Sequence, residues 1–220
     1  MSDDDIRIAR HGYYAAISYI DDQVARLLEA LDTAGLRENT VVLFIADHGE
    51  ALGERGLWFK RSFFDVALKV PFLVSVPWDK TGRRCEDNVS LVDILPTLVD
   101  IGSGRRGTDV IEAPYDGRTL LAATDGAPLS GENVIYAEMA ADALTAPAVA
   151  IIEDRYKHIH CETDPPLLFD LANDPQETDN LAGSPETKEI ESRLAARVVE
   201  TWDLPSLKAK ILISQRRRRL

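Results

Sequence analysis

The sequence predicts an α/β fold: part of a parallel sheet sandwiched by helices, then a small antiparallel sheet with a C-terminal helix. Three observations predict it. A long amphipathic helix leads through a short polar connection into a continuous apolar run, which is half of a crossover unit in a parallel sheet. A second apolar run and a second helix follow. Beyond about residue 125 the pattern changes to four short runs at tight spacing and one last helix.

The first helix is read over residues 10–34. Ile17, Ile20, Val24, Leu27, Leu28 and Leu31 recur at helical spacing, and Gly35 stops it. After a polar connection, residues 41–46 are unbroken and apolar, so they read as a strand buried on both faces. Residues 51–62 form a loop around Trp58. Residues 70–77 read as a second strand that starts and ends abruptly at its prolines. Leu91, Ile94, Leu95, Leu98 and Val99 share one face of a helix over 89–101, closed by Gly102. Residues 102–132, rich in Gly, Asp and Arg, read as surface loops. Residues 134–138, 148–153, 156–160 and 167–171 then read as an antiparallel meander, and 185–202 as a helix with Ile190, Leu194 and Val198 inward. The expected division is an α/β portion over 1–125, an antiparallel subdomain with its helix over 126–200, and a tail over 201–220.

With 45% hydrophobic and 28% charged residues, the 220-residue chain can bury a core, which excludes disorder as a whole-chain reading. No apolar run is long enough to span a membrane, and the acidic first residues carry no apolar stretch of a secretory signal. Cys85 and Cys161 lack metal-site spacing and are expected to be free thiols in a reducing cytoplasm. A formal charge of −12 and a pI near 4.8 exclude a nucleic-acid-binding surface, which needs basic residues to release counterions. The basic cluster Arg216, Arg217, Arg218 and Arg219 reads as a solvated helix end. His11, His158 and His160 read as surface or satisfied core residues.

One pair carries chemistry. Asp47 and His48 follow directly on the first apolar run, and ligands in open α/β sheets bind beyond the carboxyl ends of strands. A carboxylate and an imidazole there can both reach a metal, one as a hard oxygen donor and the other as a borderline nitrogen. A lone Asp-His pair also serves as an ordinary strand-end cap or ion pair. Gly49 lets the chain turn past the site. Lys60 follows on the next loop. Alone it is a snorkelling lysine among aromatics; above a metal site it is a donor to an anionic group.

Ala46-Asp47-His48-Gly49-Glu50 followed by Gly53-Glu54-Arg55-Gly56-Leu57-Trp58-Phe59-Lys60 resembles the metal and lysine motif of the type I sulfatases. Val70-Pro71-Phe72, the segment from Val89 to Thr97, and Leu168-Phe169-Asp170-Leu171 with Asp174-Pro175, Glu177 and Asn180-Leu181 resemble three further blocks of that family, in order. Arg155-Tyr156-Lys157, His160-Cys161, Asp164-Pro165-Pro166 and Trp202-Asp203 with Ser214-Gln215-Arg216 look like the choline-sulfatases in particular.

The resemblance implies an alkaline-phosphatase-like fold and a sulfuric ester hydrolase that converts choline sulfate and water to choline and sulfate. It implies a divalent metal, Ca²⁺ or alternatively Mn²⁺, with Asp47 and His48 as ligands. Lys60 would contact the sulfate and the bridging oxygen, as a catalytic and substrate-binding residue. Glu138 would face the cationic head of a small-molecule sulfate ester, since a trimethylammonium group favours carboxylates and aromatic faces. The family's nucleophile is a formylglycine made within a C/S-x-P/A-x-R motif, and that motif is absent from this chain. The family's N-terminal aspartate pair has no match either. The expectation is therefore the C-terminal part of a sulfatase, from a truncated or split reading frame and inactive alone, which associates with a missing N-terminal half or with itself. Two other readings stay open: a metal-dependent phosphodiesterase or phosphonate hydrolase of the same superfamily, and a non-catalytic remnant acting in assembly.

Overall fold

Polar residues, not the apolar stripe, set the start of the first helix. In the computed structural model, which describes residues 2–104, 114–140 and 144–218, helix α1 spans Asp3–Thr33. Ser2 and Asp5 form a capping box: the Asp5 N–H donates to the Ser2 hydroxyl at 3.2 Å, and the Ser2 N–H donates to the Asp5 carboxylate at 2.8 Å. Asp3, Asp4 and Asp5 also complement the positive end of the helix dipole. The helix thus begins about two turns before the expected start at residue 10. Gly35, at φ +65°, ends it as expected.

The chain divides into two compact units, Met1–Arg84 with Ala122–Ala127, and Cys85–Leu121 with Pro128–Leu220. In the first, α1 is followed by β1 (Val42–Ile45), a hairpin of β2 (Ala51–Leu52) and β3 (Trp58–Phe59), the one-turn α2 (Asp65–Leu68) and β4 (Phe72–Ser75). Here one expectation is corrected. β1 and β4 pair antiparallel, Val42 opposite Ser75 and Ile45 opposite Phe72, rather than parallel. A parallel pairing needs a crossover leg that carries the chain back along the sheet, usually a helix of three turns or so. Residues 46–71 hold only a short hairpin and one helical turn, so the chain returns directly beside β1.

β1 is also not buried on both faces. Phe44 is 39% exposed, and its cross-strand partner Leu73 is 58% exposed. The apolar stripe of α1 is similarly bare: Ile17, Ile20 and Leu27 are 49%, 51% and 67% exposed, and no residue of α1 is buried.

The second unit opens with a turn of 3-10 helix over Leu91–Asp93 that runs into α3 (Ile94–Gly102). Ser90 and Asp93 form a second capping box, and the Asp93 carboxylate also accepts from the Arg118 N–H at 2.8 Å. Residues 105–113 of the expected loop segment lie outside the described residues. The one-turn α4 (Leu121–Thr124) falls, but for Leu121, in the segment assigned to the first unit, and the second unit resumes with the meander, β5 (Val134–Met139), β6 (Ala148–Glu153), β7 (Tyr156–Cys161) and β8 (Asp164–Asp170), antiparallel in that order. β8 starts three residues before its apolar run, at Asp164-Pro165-Pro166. Prolines fit there because β8 is an edge strand, where a missing N–H breaks no ladder.

Helix α5 (Lys188–Thr201) covers one face of this sheet. Leu194 and Val198, inward as expected, pack with Val149, Ile151 and Leu168 into a core cluster. The strictly alternating positions of β6, β7 and β8 put Ile151, His158 and Leu168 side by side beneath the helix. Lys157 points to the opposite side of β7, where its ammonium donates to Glu177 at 2.8 Å; both side chains are buried. A final helix, α6 (Leu204–Arg217), is capped by Asp203 and carries Arg216 and Arg217 in its last turn, while Arg219 lies outside the described residues.

Candidate active site

β1 delivers the site. The strand ends at Ile45, and after Ala46 the chain turns through Asp47, His48 and Gly49. A Cβ at position 49 would overlap the Val66 carbonyl oxygen, and the Gly49 N–H donates to the Ala67 carbonyl at 2.7 Å. Glycine therefore lets the turn seat directly on α2, whose Ala67 is buried.

The turn fixes His48. Its Nδ1 lies 2.8 Å from the Gly49 carbonyl, which can only accept, so Nδ1 carries the proton and Nε2 presents a lone pair. Lys60 Nζ donates to Nε2 at 2.9 Å. Asp47 accepts from the His48 backbone N–H through Oδ1 at 3.0 Å and turns Oδ2 to within 3.4 Å of Nε2. Three of the four expected site residues thus meet in one place.

A carboxylate oxygen and an imidazole lone pair that face each other at 3.4 Å are a partial donor set for a divalent cation. They supply two ligands. Among the described residues, no group of three or more His, Cys, Asp or Glu side chains converges on one point. The residues fit a divalent metal as part of a shell, with further donors required from elsewhere.

Lys60 reaches His48 from the end of the β2–β3 hairpin. That hairpin has two residue pairs, Ala51 with Phe59 and Leu52 with Trp58. Two side chains that the sequence analysis did not single out hold it. Glu54 accepts from the Leu52 N–H at 2.5 Å, and Arg10, on α1, donates to the Leu52 carbonyl at 2.9 Å and to Glu54 at 3.3 Å. The contact joins residues more than forty positions apart, and no local pattern announces it.

The fourth expected residue, Glu138, belongs to the second unit. It stands exposed near the end of β5 and accepts from the Trp202 indole N–H at 3.0 Å. Tyr136 meets the Trp202 ring edge-on at 5.6 Å between centroids. These three, with Asp116, Glu132 and Arg118, line a cavity of about 640 Å³. Arg197 neutralises part of its acidity and holds the Glu132 carboxyl below the usual carboxylate range, first by hydrogen bonding and then by charge. The pairing of Glu138 with Trp202 was also absent from the sequence reading.

His158 corrects an expectation. It is buried, yet neither ring nitrogen has a hydrogen-bond partner among the described residues. Burial, and then the neighbouring His160, lower its pKa against the smaller opposing pull of Glu191.

The sulfatase family model matches residues 4–104, and the chain is 34% identical over 99% of its length to the choline-sulfatase of Rhizobium meliloti (strain 1021). The chain is similar to the sulfatase family over these residues. It spans 42% of that relative's length. It is also 39% identical over 120 residues to the iduronate 2-sulfatase of Mus musculus, covering 43% of this chain and 22% of that one. Among solved structures, the phosphonate monoester hydrolase of Agrobacterium radiobacter superposes with a TM-score of 0.78 at 27% identity, over 96% of this chain and 43% of that one. The chain therefore has the alkaline-phosphatase-like α/β fold that the resemblance implied. Among its described residues, no helix is long and apolar enough to cross a membrane.

Proposed function

We propose that this chain carries the metal-binding and leaving-group side of a sulfate-ester hydrolase acting on choline sulfate. One observation carries the reading. The Lys60 ammonium stands 2.9 Å from His48 Nε2, beside Asp47, on a chain 34% identical to a choline-sulfatase.

Asp47 and His48 would hold the cation, Ca²⁺ or Mn²⁺. Asp47 would supply charge and a hard oxygen, while the Gly49 carbonyl keeps the His48 proton on Nδ1, so that the Nε2 lone pair, met here by the Lys60 ammonium, could turn to the cation once Lys60 moves to the sulfate. Bound there, a divalent cation polarises the sulfate oxygens. Lys60 binds the sulfate and donates to the bridging oxygen, where charge develops as the S–O bond breaks. Glu138, in the second unit, is the carboxylate proposed for a trimethylammonium head, with the Tyr136 and Trp202 rings beside it. The motif that yields formylglycine is absent from these 220 residues, so no nucleophilic step is assigned to them.

The partner in this reading is a polypeptide carrying the rest of the family fold. Its proposed seat is the bare stripe of Tyr13, Ile17, Ile20 and Leu27 on α1, together with the exposed Phe44–Leu73 pair. More than half of the choline-sulfatase lies outside the matched portion, which is enough chain to cover such a surface. A second copy would instead bring a net charge of −12 against −12. The free thiols Cys85 and Cys161 favour a cytoplasmic location.

A phosphonate monoester is the second reading, favoured by the structural likeness to a phosphonate monoester hydrolase. Assays of the assembled protein on choline sulfate and on a phosphonate monoester separate the two. Faster release of sulfate is expected, and turnover of the phosphonate alone would sink the sulfatase reading.

A further inference from the structure

A lysine just past the open end of a short hairpin is a poor place for precise chemistry. Lys60 is exposed, and the β2–β3 hairpin that ends in it has only two paired positions. Isolated two-stranded hairpins are marginal in water. The segment is also strained. Arg55 and Phe59 hold φ at +54° and +68°, a left-handed region that is unfavourable for non-glycine residues. Such strain persists only where the surroundings over-determine it. Phe59 immediately precedes Lys60, so its left-handed backbone helps set the direction in which Lys60 leaves the hairpin.

The surroundings that over-determine it are visible. Glu54 closes the turn through the Leu52 N–H, and the Gly53 N–H donates to the Leu57 carbonyl at 2.9 Å. Arg10 then binds both sides of the turn, the Leu52 carbonyl with Nε and the Glu54 carboxylate with Nη2. Arg10 sits on a 31-residue helix, which is a stiff base for a two-residue ribbon. The Arg55 guanidinium, over the Phe64 ring at 4.2 Å, adds a contact on the other flank.

We propose that Arg10 and Glu54 are positioning residues for Lys60: their ion pair locks the strained hairpin so that the lysine ammonium is delivered to His48 Nε2. The proposal rests on the role of Lys60 given above, but its geometry is independent of the substrate. In the family reaction the same lock would keep the donor on the bridging oxygen, acting on turnover through position rather than through contact with substrate.

The test uses the 220-residue chain itself, with ¹⁵N-labelled histidine. The lone pair of His48 Nε2 reports the lysine hydrogen bond, so Lys60→Ala defines the displacement of that resonance when the bond is lost. Glu54→Ala and Arg10→Gln are expected to move the resonance in the same direction by at least about half as much, with the circular dichroism of the chain unchanged. Glu54→Gln, which keeps an acceptor for the Leu52 N–H but loses the charge pair, is expected to fall between wild type and Glu54→Ala. The proposal is overturned if Glu54→Ala and Arg10→Gln both leave the resonance at its wild-type position, or if Lys60→Ala itself does not move it. Either result leaves the choice between sulfate and phosphonate esters untouched, because no turnover is measured.

Discussion

Replacing His158 with leucine is expected to stabilise the second unit and to remove much of its acid sensitivity. The imidazole sits under α5 between Ile151 and Leu168, buried, with both ring nitrogens unpaired among the described residues. A buried polar group without a partner costs about 1–3 kcal/mol, and an apolar swap of similar volume costs less than about 1.5. Central values of the two ranges leave a net gain for His158→Leu of about 1 kcal/mol, which raises Tm by roughly 2–4 °C for a chain of this size.

The pH dependence follows from the direction of the shift. The folded pKa lies below the ordinary value of 6.5, so in that window the unfolded chain binds the proton and the folded chain does not. Stability is full above 6.5 and is lost as pH falls towards the folded pKa. The groups that face the ring are His160 on its own strand and Glu191 on α5, while β6 and β8 present Ile151 and Leu168. Urea titrations of both proteins at pH 7.5 and 5.5 check this. A variant that is less stable than wild type, or that loses as much stability on acidification, would refute the reasoning.

In the assembled protein, Asp47→Ala is expected to abolish Mn²⁺ or Ca²⁺ binding by calorimetry, and His48→Ala to weaken it less; unchanged binding removes both as ligands. Lys60→Ala should lower kcat by roughly 10²-fold or more, the usual loss for one transition-state donor, and Lys60→Arg should not restore it fully. A rise in KM alone would make Lys60 a simple anion anchor. The double change Ile17→Asp and Ile20→Asp should abolish co-purification with the non-matching portion of the Rhizobium meliloti choline-sulfatase; retained binding places the partner elsewhere. Lys157→Met should destabilise the second unit by about 3–5 kcal/mol in urea, because it leaves Glu177 buried without that counter-charge, and adding Glu177→Leu should recover most of the loss.

The antiparallel unit was legible because its rules are local. Residues 148–153 and 156–160 alternate or run apolar between tight turns, and Leu194 and Val198 fall on one helical face; the structure uses both directly. Strand direction in the first unit was not legible. The residues of β1 look the same whichever way a neighbour runs, and only the lack of a crossover helix in residues 46–71 decides it. Asp47, His48 and Lys60 were visible as a motif, since their spacing is short and their chemistry unusual. The Arg10–Glu54 pair and the Trp202–Glu138 contact were not, because each joins distant segments and involves residue types common on any surface. His158 was misjudged for a related reason: sequence shows that a histidine lies on a strand, but not whether anything answers its nitrogens.

The meander has a consequence for how the chain reaches its fold. β6 pairs with β7 and β7 with β8, each across a two-residue turn, and α5 follows soon after to cover them. Such low contact order favours rapid folding, because little loop-closure entropy is lost before contacts form. β1 must wait for β4, some 27 residues later, and gains only four residue pairs when it arrives. The C-terminal sheet is thus expected to mature early, while the segment that carries Asp47, His48 and Lys60 orders late.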